Sequence, residues 1–240
     1  MKTYKNSSKK LLLGICAGCL ISFLLTSCLK TDNAAYNPPT GLLSFIQASP
    51  DEAPLDFYLN NNRVSQNALY FGDNIDYVSA FAGSRIANFY ATGTTATILS
   101  APITVAQGTA YSLFLVNKAS SPQVLLLTDT LNKPATGSAS IRFVNLSPDA
   151  PAVDLAVHGG AVLVPNRSFK GYSSFVPIPA QSGYTFEVRQ AGTGTVLATL
   201  ANVPIVSGSV YTIWFGGLAT PTSSSDKLSA NIVTNAYYVN

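Results

Sequence analysis

The sequence predicts an all-β protein: two tandem immunoglobulin-like or prealbumin-like β-sandwich domains behind an N-terminal signal helix. Three observations lead there. The chain of 240 residues is 47% hydrophobic but 10% charged, with 12 Tyr and 12 Phe set among 17 Gly and 14 Pro. Aromatic residues broken at short intervals by turn formers favour strands. A motif occurs twice, as Ser49-Pro50-Asp51-Glu52-Ala53-Pro54-Leu55-Asp56-Phe57 and as Ser147-Pro148-Asp149-Ala150-Pro151-Ala152-Val153-Asp154-Leu155. Asp154 follows Asp56 by 98 residues, about one small domain. Finally, no stretch after residue 28 has helical periodicity.

Residues 1–27 read as a lipoprotein signal peptide. Lys2, Lys5, Lys9 and Lys10 precede an apolar run over 11–25, short of the ~20 apolar residues of a membrane span. Leu25-Thr26-Ser27-Cys28 resembles a bacterial lipobox. That resemblance implies that the Cys28 thiol receives a diacylglyceryl group, that cleavage makes Cys28 the new N-terminus, and that the mature chain carries palmitate-type acyl chains. Cys16 and Cys19 lie inside the apolar run without that context.

Residues 28–40 are polar, non-periodic and broken by Pro38-Pro39, which describes a flexible tether. Lys30 and Asp32 resemble the short charged signals that send such lipoproteins to the cell surface in the Bacteroidetes group. With the four leading lysines removed, ten basic residues face 11 acidic ones. A chain so balanced has no electrostatic footprint for nucleic acid. No Cys follows residue 28, so the repeats must fold on hydrophobic burial, without disulfides or thiolate metal sites.

The first repeat, 41–130, offers strand-like runs at 42–48, 55–59, 68–71, 77–81, 86–90, 97–99, 111–116 and 124–128. Turn formers separate them, among them Asn60-Asn61-Asn62, Gly83-Ser84 and Gly93-Thr94. A linker over 131–139 precedes the second repeat, 140–240, with runs at 141–146, 153–158, 161–164, 175–178, 184–189, 196–200, 211–215 and 231–234. Alternation is clearest at 184–189, where Tyr184, Phe186 and Val188 face a core and Thr185, Glu187 and Arg189 face water. Gly108-Thr109-Ala110-Tyr111 and Gly208-Ser209-Val210-Tyr211 correspond at an offset of 100 residues.

Both copies together, Ser-Pro-Asp with an Ala-rich stretch and a second Asp, then Gly-x-x-Tyr before an apolar strand, are similar to the family called domain of unknown function 4397. The resemblance implies an exported lipoprotein with tandem β-rich modules. It implies no activity.

Chemistry is sparse. His158 is the lone His. No Gly-x-Ser-x-Gly elbow, second His or nearby Cys accompanies it, so it reads as a solvated hairpin residue. Asp51, Asp56, Asp149 and Asp154 are the candidates for a metal or acid–base site. The competing reading makes each first Asp a turn residue that accepts local backbone N–H groups. Tyr172, Phe175 and Trp214 are candidate ligand platforms, with Tyr237 and Tyr238 beside them. Most aromatics of a β-protein belong to its core, and Trp214 lies within an apolar run. Asp129-Thr130-Leu131 resembles a short acceptor motif for O-glycosylation.

The expectation is a lipid-anchored outer-membrane protein of the cell envelope, surface-exposed, with no enzymatic activity and no cofactor. Its partners would be the membrane, through the lipid, and another envelope protein or a glycan. A glycan-binding lipoprotein beside a nutrient transporter is the first alternative. A hydrolase using the Asp pairs is the second.

Overall fold

The computed structural model describes residues 38–239. The expected signal helix, the lipid site Cys28 and all of the tether before Pro38 lie outside the described residues. In the first half, β1 (Thr40–Gln47), β2 (Leu55–Leu59), β3 (Asn62–Arg63), β4 (Asn74–Phe81), β5 (Gly83–Ala91), β6 (Thr97–Val105), β7 (Ala110–Val116) and β8 (Gln123–Asp129) follow one another. They make two sheets, β4-β1-β7-β8 and β3-β2-β5-β6.

The second half contains β9 (Ser138–Asn145), β10 (Val153–Val157), β11 (Val162–Arg167), β12 (Val176–Pro179), β13 (Gln181–Gln190), β14 (Val196–Ile205), β15 (Ser209–Gly216) and β16 (Ser229–Tyr237). Its sheets run β12-β9-β15-β16 and β11-β10-β13-β14, the order of the first half over again. Strand β1 pairs parallel with β7, and β9 with β15. Both halves belong to one compact unit.

Two expected local features differ. The run 68–71 is a single bridge, Leu69 to Leu55. The chain turns at once at Gly72, with φ of +99°, and Asp73 accepts the Tyr70 N–H at 2.9 Å. Gly83, expected in a turn, opens β5 at φ of +105°. Glycine reaches that region freely, so β4 swings into β5 across the single residue Ala82.

Successive residues of a strand face opposite ways, and here both ways lead inward. On β1 and β7, Leu43, Phe45, Leu113 and Leu115 point into the core of the first half, against Phe57 and Phe89. The alternate residues Ile46 and Phe114 point the other way, where Val144, Leu146 and Trp214 of the second half meet them. Ile141, Phe143, Ile213 and Phe215 fill the core of the second half, with Phe186 and Val188. The two inner sheets therefore pack on each other and are covered on both faces. Two-sided burial is why β7 and β15 are apolar almost throughout.

Beside this apolar seam lies a buried polar one. Arg142 of β9, 2% exposed, donates to Asp129 Oδ1 of β8 at 2.7 Å, to Ser112 Oγ at 3.1 Å and to Thr212 Oγ1 at 2.9 Å. Asp129 Oδ2 accepts from Ser112 at 2.8 Å and from the Tyr77 hydroxyl. Asn235 joins the ends, donating to Tyr77 at 2.9 Å and accepting from Thr212 at 2.7 Å. Burial first, and the adjacent Asp129 carboxylate second, push the Tyr77 phenol far above its ordinary value, so Tyr77 stays a donor.

Removing one member of a buried ion pair leaves the other uncompensated, at a cost of ~3–5 kcal/mol, whereas apolar replacement of both is close to neutral. Arg142→Ala should therefore lower the thermal midpoint sharply, and Arg142→Met combined with Asp129→Leu should recover most of it. Calorimetry of the three proteins is the check.

Candidate functional site

The repeated motif is a clamp. Ser49 Oγ donates to the Asn117 carbonyl at 2.7 Å, and Asp51 Oδ1 accepts the Ala119 N–H at 2.8 Å. In the second copy, Ser147 Oγ donates to the Gly217 carbonyl at 2.8 Å, and Asp149 Oδ1 accepts the Ala219 N–H at 2.8 Å. Each Ser-Pro-Asp thus grips the loop leaving β7 or β15. The residue gripped by Ser is left-handed in both, Asn117 at φ 75° and Gly217 at φ 95°. A Cβ at 217 would also meet the Lys227 carbonyl oxygen at 2.1 Å, so Gly is required there. The expected local turn bond is corrected accordingly: the partners lie 68 and 70 residues away in sequence.

The second Asp of each copy does a different job. Asp56 accepts from Arg63 at 2.6 Å and from the Gly93 N–H at 3.1 Å. Asp154 accepts the Asn166 N–H at 2.6 Å and the Gly192 N–H at 3.1 Å. Both tie the β2–β5 or β10–β13 pair to its hairpin turn. The first and second Asp therefore satisfy separate loops rather than facing a common ligand. Among the described residues, no group of three or more His, Cys, Asp or Glu is placed to hold a metal ion.

Lys118 of the first half reaches Asp149 Oδ2 at 3.1 Å. Burial alone would raise the Asp149 pKa, but the Ala219 N–H and Lys118 outweigh it and hold the carboxyl below its ordinary value of 3.8. A folded-state pKa lower than the unfolded one gives stability that is present above that ordinary value and is lost as pH falls through the folded one. Acid melts of wild type should lose this contribution below about pH 4, and Asp149→Asn should flatten that part of the profile. Millimolar calcium should leave both melting temperatures unchanged, since a ligand bound only to the folded state would raise them.

The aromatic candidates separate. Trp214 is fully buried, packed edge-on against Phe71 at 5.9 Å within the seam between the halves. This corrects its assignment as a ligand platform: β15 lies in an inner sheet, so neither face of the strand reaches water. Tyr237 is exposed, and the Tyr238 hydroxyl donates to the Leu131 carbonyl. His158 is largely exposed and contacts Glu187, which Arg189 also holds at 2.8 Å. The His158 and Arg189 hydrogen bonds depress the Glu187 pKa. Asp129 of the glycosylation-like triplet is buried in the ion pair, while Thr130 is exposed.

Tyr172 and Phe175 come together with Arg142 on a groove of about 410 Å³. They lie on the segment between β11 and β12, where Ser173 accepts the Phe143 N–H at 3.1 Å and so pins the segment to β9. The Arg142 guanidinium stacks on the Phe175 ring at 4.7 Å. Tyr172 is 50% exposed. Thr128, Thr130, Asn132, Ser140 and Ser174 complete the wall, and among the described residues their side chains have no protein hydrogen-bond partner. Arg142 was not legible as a site residue. Its one trace is a cation set between Ile141 and Phe143 in an apolar strand.

Residues 41–156 match the family model described as Domain of unknown function (DUF4397). The match covers the first half and runs through most of β10. Among solved structures, the chain is similar to CBMbc (family CBM26) from Eubacterium rectale Amy13K in complex with maltoheptaose. The identity is 10% and the TM-score 0.26, over 81% of this chain and 97% of that one. That likeness is too slight to carry a ligand across. No curated protein matches the chain.

Proposed function

We propose that the protein is a non-catalytic binding module of the cell envelope, anchored through lipid on Cys28, and that the groove between its halves takes a neutral, hydroxyl-rich ligand of the glycan type. One observation carries this reading. The groove joins two aromatic rings to a set of unengaged hydroxyl and amide groups, and its single charge, on Arg142, is already neutralised by Asp129. A charged ligand would gain little there, whereas a polyol can exchange hydrogen bonds with the wall and lay an apolar face on Tyr172.

The carboxylates support the non-catalytic reading: Asp51, Asp56, Asp149 and Asp154 are each held by hydrogen bonds that maintain loops, and the two of each copy serve separate loops instead of facing one another as an acid and base.

Tyr172→Ala should weaken binding of neutral oligosaccharides about tenfold, the value of one aromatic contact, with the melting temperature unchanged, as read by calorimetric titration. Binding unaltered in that variant rejects the groove. The anchor has its own test. Cys28→Ala should abolish labelling by an alkyne-bearing fatty acid and release the protein from the membrane fraction.

A further inference from the structure

The second half serves as an internal control for the first. On the outward face of β2 and β5, Tyr58 stands opposite Asn88, and Asp56 opposite Tyr90. On β10 and β13 the same register places Ala156 opposite Glu187, and Asp154 opposite Arg189. The Asp is common to both copies and is structural. The rest of the face differs: the second half adds an ionic cluster, Glu187 held by His158 and Arg189, and the first half, beside the Arg63–Asp56 pair, two tyrosines. A sheet that folds with Ala and Arg at those places does not need Tyr at either.

The tyrosines are held ready. Their rings meet edge to face, 5.3 Å apart at 88°. Opposite Tyr58, Asn88 is fixed, its Oδ1 accepting from Ser100 at 2.7 Å and its Nδ2 donating to the Asn60 carbonyl at 2.9 Å. One rim is the β2–β3 turn, where Asn60 is left-handed at φ 53° and its Oδ1 accepts the Ile86 N–H at 2.8 Å. The other rim is the β5–β6 turn, closed by Thr94 donating to the Ala91 carbonyl at 2.9 Å and anchored by Gly93 on Asp56. A surface fixed in this way loses little entropy on binding.

Tyr58, Tyr90, Asn60, Asn61, Thr94 and Thr95 enclose an open concavity of about 230 Å³. No charged side chain lines it. The hydroxyls of Tyr58, Tyr90 and Thr95 and the amide of Asn61 have no protein partner among the described residues. The volume is below the ~300 Å³ at which drug-sized pockets begin, so it suits one ring rather than an extended ligand. A neutral ring with an apolar face and a hydroxyl rim is a pyranose. We propose that the Tyr58–Tyr90 concavity is a saccharide subsite of the first half alone, taking a single neutral sugar ring at a chain end or branch. It lies apart from the groove between the halves and stands whether or not that groove is occupied.

The test uses protein carrying labelled tyrosine rings, titrated with maltoheptaose, cellohexaose and xylohexaose. The expected result is saturable movement of the Tyr58 and Tyr90 ring signals with at least one sugar. Tyr58→Ala and Tyr90→Arg, which install the residues of the second half, should each weaken that response tenfold or more. Asn61→Ala, on an exposed turn, should weaken it without touching the sheet. Tyr172→Ala should leave it intact, which separates this site from the groove. Rings that stay still with all three sugars overturn the proposal. So does movement that survives Tyr58→Ala and Tyr90→Arg, or that appears only with a tyrosine- or tryptophan-containing peptide.

Discussion

The contact on which this molecule turns is the buried ion pair between Arg142 and Asp129. It joins the last residue of β8 to the middle of β9, the two strands on either side of the crossing from the first half to the second. Neither charge could be buried alone. Together with Ser112, Thr212, Tyr77 and Asn235 they form a closed circuit in which almost every donor finds an acceptor. An apolar seam of Ile46, Phe114, Val144 and Trp214 would hold the inner sheets together in many rotational settings. The polar circuit admits one, because a small rotation would strand a charge. The same pair also strips the groove of net charge and fixes the Phe175 ring under the guanidinium, so the electrostatics of the site are a by-product of the joint.

Much of the fold was legible. Fifteen of the sixteen strands among the described residues begin or run where alternation or apolar runs placed them, because turn chemistry such as that at Asn60 and Gly93 is local and needs no tertiary help. Strand β3, two polar residues, carries no such signal, and 68–71 has the apolar pattern of a strand that Gly72 and Asp73 cut short. The face-to-face packing of the inner sheets had a signal, though it is clear only afterwards. Tyr111–Val116 and Tyr211–Phe215 do not alternate as a strand with one wet face would.

The candidate sites were less legible, for a physical reason. A side chain that clamps a distant loop looks like one that clamps a near one. Asp51 and Asp149 sit in turns, as their Pro-Asp context said, yet their acceptors serve loops brought alongside by the parallel pairing of β1 with β7 and β9 with β15. Trp214 looked available because a single sequence does not say how many layers a sheet stack has. Residue type alone marks Tyr172 and Phe175 in the sequence, and only the fold brings them to Arg142.

The parallel pairing also sets an order of events. Leu42 of β1 meets Ala110 of β7, and nothing nearer in sequence can take that place in the sheet. A chain emerging from its amino end must hold β1 unpaired on that side until β7 appears, and loop closure over such a separation slows folding. When the first half has closed, the face bearing Ile46 and Phe114 is complete but uncovered. It stays so until β9 and β15 arrive, a sticky interval of the kind that makes folding intermediates aggregate. The protein is thus asymmetric in time although its topology repeats in space: the first half waits for a cover, and the second folds against one already made.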